Sequence, residues 1–335
     1  MHTTTVSIQE FEAVAAAALQ CHGASEVASR EVAKALRRAQ QRGNPHCGLG
    51  HLEIDCRQLL CGRVDGQAVP TKSLAKTGLI QVNAANGFAQ PAFSLGLSDA
   101  LSCVEALGVA VLAISRAYTC AALGYFPERI AEHGFIGIAF TNASASVAAP
   151  DGAKPILGTN PIAMSVPDGK GGIAFQFDQC TSAANLRHVR QAAQRGHPIP
   201  PGWAVTRDGT PTVDAAEALA GALLSSGGSR GFGIGLMAEV LASFFTNSAM
   251  SLETKSLHVD SGSPHGLGVF CLLLDPTAIA GDQFWVNLGR LQDAILAQPG
   301  TRLPGTRKDV REEIAVESTM WEKAQSLAAS PFRRE

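Results

Sequence analysis

The chain has 335 residues, 46% hydrophobic and 17% charged, with a formal net charge of −2 at pH 7. This is enough for a large core in one big domain or two to three lobes, and near-neutrality leaves no basic field for nucleic acid. Aromatic residues are only 6% and Lys and Arg are scattered, which excludes a stacking platform for single strands, and no apolar run approaches the roughly 20 residues of a membrane helix.

In chain order, Met1 to Glu10 is polar and lacks the charged start and apolar core of a signal peptide. Residues 7–42 read as helices, with Ser7 as N-cap and Glu10 completing a capping box. Gly23 separates two of them. A polar, Gly-rich stretch, Arg42 to Gly48, follows before helical periodicity resumes from His51 to Leu60. Leu79–Asn83 alternates like a strand. Val109–Ile114 and Ile136–Thr141 are β-branched-rich runs suited to buried strands, with a helical stretch from Ala121 to His133 between them. Gly172–Phe177 and Val269–Leu274 read as further strands, and Gly231–Thr246 as a long apolar helix. A charged helix is expected from Asp309 to Ala329. The order predicts a mixed α/β fold: a helical domain from both termini (1–75 and 300–335) and a central cofactor-binding α/β domain (76–299).

The eight cysteines form no CxxC pair, so they read as buried, reduced thiols of a cytoplasmic protein, and no metal site is expected. Four segments carry possible chemistry. In Gly227-Gly228-Ser229-Arg230-Gly231-Phe232-Gly233, glycines and a helix N-terminus would admit an anion and Arg230 would match a phosphate, or the segment is a flexible loop before a helix. No GxGxxG follows an N-terminal strand, so the ordinary Rossmann fingerprint is absent. Thr159 and Asn160, in Gly158-Thr159-Asn160-Pro161, hold either local backbone groups or a ribose or nicotinamide amide. Asp178, Gln179 and Ser182 follow a buried strand, where polar side chains line clefts, though Ser182 is also a good cap for a helix Ala183–Gln194. His46, Cys47 and His51 bring a thiol and two imidazoles into one segment, for nucleophilic or proton chemistry, for metal, or as ordinary surface residues.

Together, Gly134–Asn142, Ala149-Pro150, Gly158–Ala163, Asp178 with Thr181-Ser182-Ala183, Ile199-Pro200, Gly202-Trp203-Ala204, Asp208-Gly209, the 227–233 segment, Leu303-Pro304-Gly305 and Arg307 resemble the malate/L-lactate dehydrogenase-like NAD(P)H oxidoreductases. The piperideine/pyrroline-2-carboxylate reductases of that family resemble it most. The resemblance spans residues 7–327. It implies a non-Rossmann fold with a central, largely antiparallel sheet, a homodimer with the active site near the subunit interface, a small-molecule substrate and NADPH or NADH as cofactor. It places Gly48, Thr159, Asn160, Asp178, Gln179, Ser182, Arg230 and Arg307 around the cofactor.

The family's catalytic motif is Ser-His-Gly with an arginine three residues on; the histidine donates a proton and the arginine holds the substrate carboxylate. Aligned on Gly48, this chain has His46 for the serine, Cys47 for the histidine and His51 for the arginine. Thr119 stands where the family often has histidine, and Arg187 where its carboxylate reductases carry an acidic residue. The expected function is NAD(P)H-dependent reduction of a C=N or C=O bond, or the reverse, with Cys47, His46, Tyr118 and Thr119 taking over catalysis and His51 binding substrate. The alternatives are a lyase, isomerase or cyclase using His46, Cys47 and Tyr118, and a catalytically silent member.

Overall fold

The computed structural model describes residues 2–305 and 313–330. The chain opens with strand β1 (Thr3–Ser7) and helices α1 (Ile8–Cys21), α2 (Glu26–Gln41) and α3 (Leu49–Leu60). Ser7 and Ser25 cap α1 and α2 by accepting from Glu10 N and Ala28 N, which satisfies a backbone donor that the first helical turn leaves open. Next come β2 (Thr71–Lys76), β3 (Leu79–Asn83), α4 (Ala89–Leu107), β4 (Val109–Ala117), α5 (Tyr125–Ala131) and β5 (Ile136–Thr141). The middle continues with β6 (Val147–Ala148), β7 (Pro155–Leu157), β8 (Ile162–Pro167), β9 (Ile173–Gln179), α6 (Leu186–Arg195), β10 (Ala204–Val205), β11 (Pro211–Thr212), α7 (Ala215–Ala220) and β12 (Ala222–Leu223). Last are α8 (Ser229–Glu239), β13 (Leu267–Leu274), α9 (Gln283–Leu296), β14 (Glu313–Glu317) and α10 (Ser318–Ala329).

The large sheet runs β2-β3-β4-β13-β5-β8-β9. Only β3–β4 is parallel within it; every other pair is antiparallel. Helices α4 and α5 bury its face through Phe93, Leu97, Phe126 and Ile130, which pack on Val82, Leu112, Ile114, Ala139 and Cys271. Gly96 permits that approach, because a Cβ there would stand 2.5 Å from Leu112 Cδ1. The large sheet begins with β2 at Thr71, ahead of the expected boundary at residue 76.

A second core joins the termini. Phe11, Leu19, Leu36, Leu52 and Tyr118 pack with Ile314, Val316, Trp321 and Leu327, and β1 pairs antiparallel with β14, Thr3 opposite Glu317. A five-stranded sheet, β11-β10-β12-β6-β7, lies beside the main one. Arg42 and Arg38 reach Glu128 at 2.7 and 3.2 Å, tying α2 to α5.

Four expected elements differ. The helix expected from Ala121 shortens to Tyr125–Ala131, because Ala121 sits at φ 59° in a turn. The long apolar helix changes at Val240 into a π-helical turn, Val240–Phe244, where β13 passes so closely that a Cβ on Gly268 would stand 1.6 Å from Ala242 O. Asn185, not Ser182, caps α6, since Ser182 bridges to Ser225 and its hydroxyl donates to Ala184 O. At the C-terminus, Glu313–Glu317 alternates as a strand to pair with β1, and the helix begins at Ser318.

Candidate active site

The 42–48 stretch turns sharply between α2 and α3. Gly43 takes φ 78°, the Cys47 and Gly48 amides donate to Asn44 O, and the Gly50 amide to Pro45 O. Gly48 is a packing requirement: a Cβ would stand 2.5 Å from Gln40 Oε1, which itself accepts from Leu49 N. This turn faces β9 and α6 across a cleft of about 630 Å³. His46, Cys47, His51, Thr119, Thr159, Asp178 and Gln179 all line it, together with Arg57, Arg187, Arg190 and His258.

Cys47 points its Sγ at Ala121 O, 3.3 Å away, and burial beside Asp178 pushes its thiol up to about 12. It therefore stays protonated and is a weak acid at neutral pH. His46 is made less basic by burial and by Arg187 and His188, and its Nδ1 is buried without a hydrogen-bond partner. Asp178 is open to the cleft yet set deep among protein atoms; that setting raises its carboxyl to about 6 although the Gly124 N–H donates to it at 2.8 Å. Beyond Asp178 and Asn44 a smaller pocket of about 340 Å³ carries Arg302 and Gly305.

At the cleft floor His51 pairs with Asp55, a residue the sequence pattern did not single out. His51 is 8% exposed, and its Nε2 lies 3.3 Å from Oδ1 of Asp55, one turn on along α3. The approach is off-axis for a hydrogen bond, and neither atom has another partner. Burial drops His51 to about 4, with His258 and Arg187 repelling its charged form, while Asp55, 2% exposed, is raised well above the usual carboxylate range by burial. His51 is therefore neutral at pH 7, and burial disfavours the charged form of Asp55 as well. Tyr118, only 1% exposed, does not line the cleft; its ring packs edge-on to Phe88 and His265, and its hydroxyl adjoins Asp55.

Three of the expected cofactor residues have side chains or space committed to the scaffold. Gly48 packs on Gln40. Asn160, wholly buried at φ 33°, donates to Glu239 Oε2 at 2.7 Å and to Gly235 O and accepts from Ala143 N. Ser182 is buried on Ala184 O. Arg230 lies exposed on the first turn of α8, and Arg307 lies outside the described residues. The i,i+4 spacing of His51 and Asp55 on a helical pattern was the available signal for that pair; nothing local signalled His258, which arrives from a distant loop.

Residues 6–323 match the malate/L-lactate dehydrogenase family. A Delta(1)-pyrroline-2-carboxylate reductase 2 of Burkholderia multivorans is 35% identical over 307 residues, 90% of this chain and 89% of that protein. A (2R)-3-sulfolactate dehydrogenase (NADP(+)) of Chromohalobacter salexigens is 32% identical over 303 residues, 90% of each. The crystal structure of delta1-piperideine-2-carboxylate reductase from Pseudomonas syringae pvar. tomato is similar at a TM-score of 0.90 and 31% identity, covering 97% of this chain and 99% of that one. With the central antiparallel sheet and a cleft at the family's motif positions, the chain belongs to the malate/L-lactate dehydrogenase family of NAD(P)H-dependent oxidoreductases.

Proposed function

We propose that this member reduces the C=N or C=O bond of a small substrate in the 630 Å³ cleft, and that His51 and Asp55 supply the proton. The His51–Asp55 pair at 3.3 Å is the observation that carries the reading. The residues present suit a dinucleotide: Gly227 and Gly228, at φ 67° and 66°, open onto free space, and the N-terminus of α8 has no side-chain cap, so backbone amides are available to phosphate. Arg230 would hold that phosphate, and Thr159, Asp178 and Gln179 the nicotinamide end. When bound, NADPH or NADH supplies the hydride.

The chain's own residues then handle the proton. Burial favours the protonated form of Asp55, whose O–H would donate to His51 Nε2 once the two side chains align, leaving the hydrogen of His51 on Nδ1. His51 gives that hydrogen to the substrate atom that has gained negative charge, and the Asp55 proton moves to Nε2. The cycle closes when His51 Nδ1 takes a proton from the open cleft and Nε2 returns its own to the Asp55 carboxylate. Cys47 spends its S–H on Ala121 O and closes the cleft wall beside Asp178. A lyase or isomerase built on His46, Cys47 and Tyr118 has no support here, because Tyr118 is buried away from the lining.

We also propose a homodimer. Ile234, Leu236, Met237, Val240, Phe244 and Phe245 form an exposed apolar face along α8 and the π-helical turn, and a second copy would cover it. The eight unpaired thiols support a reducing, cytoplasmic compartment. Among the described residues no helix is long and apolar enough to cross a membrane. The test is titration with NADPH and NADH by cofactor fluorescence, followed by a screen of cyclic imines and 2-oxo acids for cofactor oxidation. Saturable binding with turnover is expected; no binding at millimolar cofactor overturns the reading. Arg230→Ala should weaken cofactor binding roughly fivefold to tenfold, and unchanged affinity would remove that contact.

A further inference from the structure

Arg187 and Arg190 stand three residues apart on α6, so they share one helix face, and both line the cleft. Burial disfavours the charged form of each, and among the described residues no carboxylate lies close enough to favour it. Arg187 also occupies the first turn of α6, which has no acidic residue to offset the positive end of the helix. Its Nη1 lies 3.6 Å from where a Cβ on Gly50 would stand, so the guanidinium reaches across to α3, next to His51. At the mouth, His258 meets the fields of Arg190, Arg57 and Arg187, offset in part by Asp260, which lies 3.8 Å from Arg57 Nη1, and Arg57 Nε is buried without a hydrogen-bond partner. Of the carboxylates in the lining, Glu53 is paired with Lys323 at 3.4 Å and Asp178 is bound to the Gly124 amide.

Two half-buried guanidiniums, with no carboxylate partner among the described residues, make a lining that an anion would stabilise, and their planar forks match carboxylates. We propose that Arg187 and Arg190 hold the acidic groups of the substrate, which is a small dianion: a 2-oxo or cyclic imino acid bearing a second acidic group. One carboxylate would leave one of the two guanidiniums uncompensated. The proposal rests on the reductase reading for the identity of the reacting carbon, and on this cleft alone for the anion.

Calorimetry with malonate and with acetate tests it, on the whole protein and on Arg187→Gln and Arg190→Gln, with NADPH titrated in parallel. Wild type should bind malonate at least about tenfold more tightly than acetate, and each substitution should weaken malonate by roughly tenfold or more. NADPH affinity should stay within about twofold. Arg187→Lys, which keeps the charge and loses the fork, should recover only part of the loss. Malonate binding no tighter than acetate, or unmoved by both substitutions, overturns the proposal. A tenfold fall in NADPH affinity with unchanged malonate binding also overturns it and assigns the arginines to the cofactor. Wild type that binds malonate as expected but never NADPH overturns the reductase reading and leaves the anion subsite standing.

Discussion

The α3 wall and the α6 wall of the cleft solve different electrostatic problems. On α3 and the turn before it, every perturbed group is pushed toward neutrality: His51 down to about 4, Cys47 up to about 12, Asp55 upward. On α6, Arg187 and Arg190 remain cations, since desolvation does not bring a guanidinium near neutral pH. A proton can move only from a group that tolerates both states, whereas recognition of an anion needs a charge that stays. On the proposed reading, the cation of the family's pattern is supplied from position 187 instead of position 51, and the imidazole with its acidic partner lies wholly on α3, so that the departures at 47, 51 and 187 form one rearrangement.

The largest test of this contrast is His51→Gln. It should lower kcat by roughly 10²-fold or more at unchanged cofactor affinity, as expected for a proton donor; full turnover would remove His51 from proton delivery. Asp55→Asn keeps the shape but cannot pass a proton on, and kcat should fall roughly tenfold, with the pH profile of kcat moving while KM holds. An unmoved profile would reduce Asp55 to packing.

A third test reads stability. His51 is lowered on folding from its ordinary 6.5 to about 4. Above pH 6.5 it is neutral in both states and costs nothing. As pH falls from 6.5 toward 4, the unfolded chain takes up a proton that the folded chain refuses, so stability drops by up to about 3 kcal/mol. Asp178 and Asp55, both raised by burial, regain stability over the same fall in pH, while His265, held near 4 by burial, adds to the loss. The His51 share is therefore read by difference: in urea unfolding at pH 7.5 and 4.5, His51→Gln should lose less stability on acidification than wild type, and an equal change would remove His51 from the acid response. The smallest effect is expected from Cys47→Ser, under about threefold in kcat, because the thiol is too weak an acid to donate at neutral pH. A larger loss would return Cys47 to the mechanism.

Much of this was legible in the sequence, and unevenly. Ile136–Thr141 announced itself by composition and is β5 residue for residue, because a buried central strand leaves little choice of side chain. β1 and β14 were missed, since a five-residue edge strand needs its partner to be visible and that partner is some three hundred residues away. In the cleft, His46, Cys47, His51, Thr119, Thr159, Asp178 and Gln179 were picked out by type and position, and all line one cavity. Asn160 was picked out too, but its amide serves Glu239, Gly235 and Ala143, contacts that only tertiary structure supplies. Arg187 was noticed as a departure, yet its meaning required seeing it against Gly50 and His51.

Gln40 adds a consequence in time. Its amide reaches Ala315 O on β14 at 3.3 Å, while its Oε1 packs where Gly48 has no side chain. Synthesis runs from the N- to the C-terminal side, so the turn bearing Cys47 and helix α3 with His51 emerge before the α6 arginines, and the strand that backs that turn follows both. A nascent chain stopped before Glu313 would therefore carry the α6 arginines without a finished α3 wall opposite them.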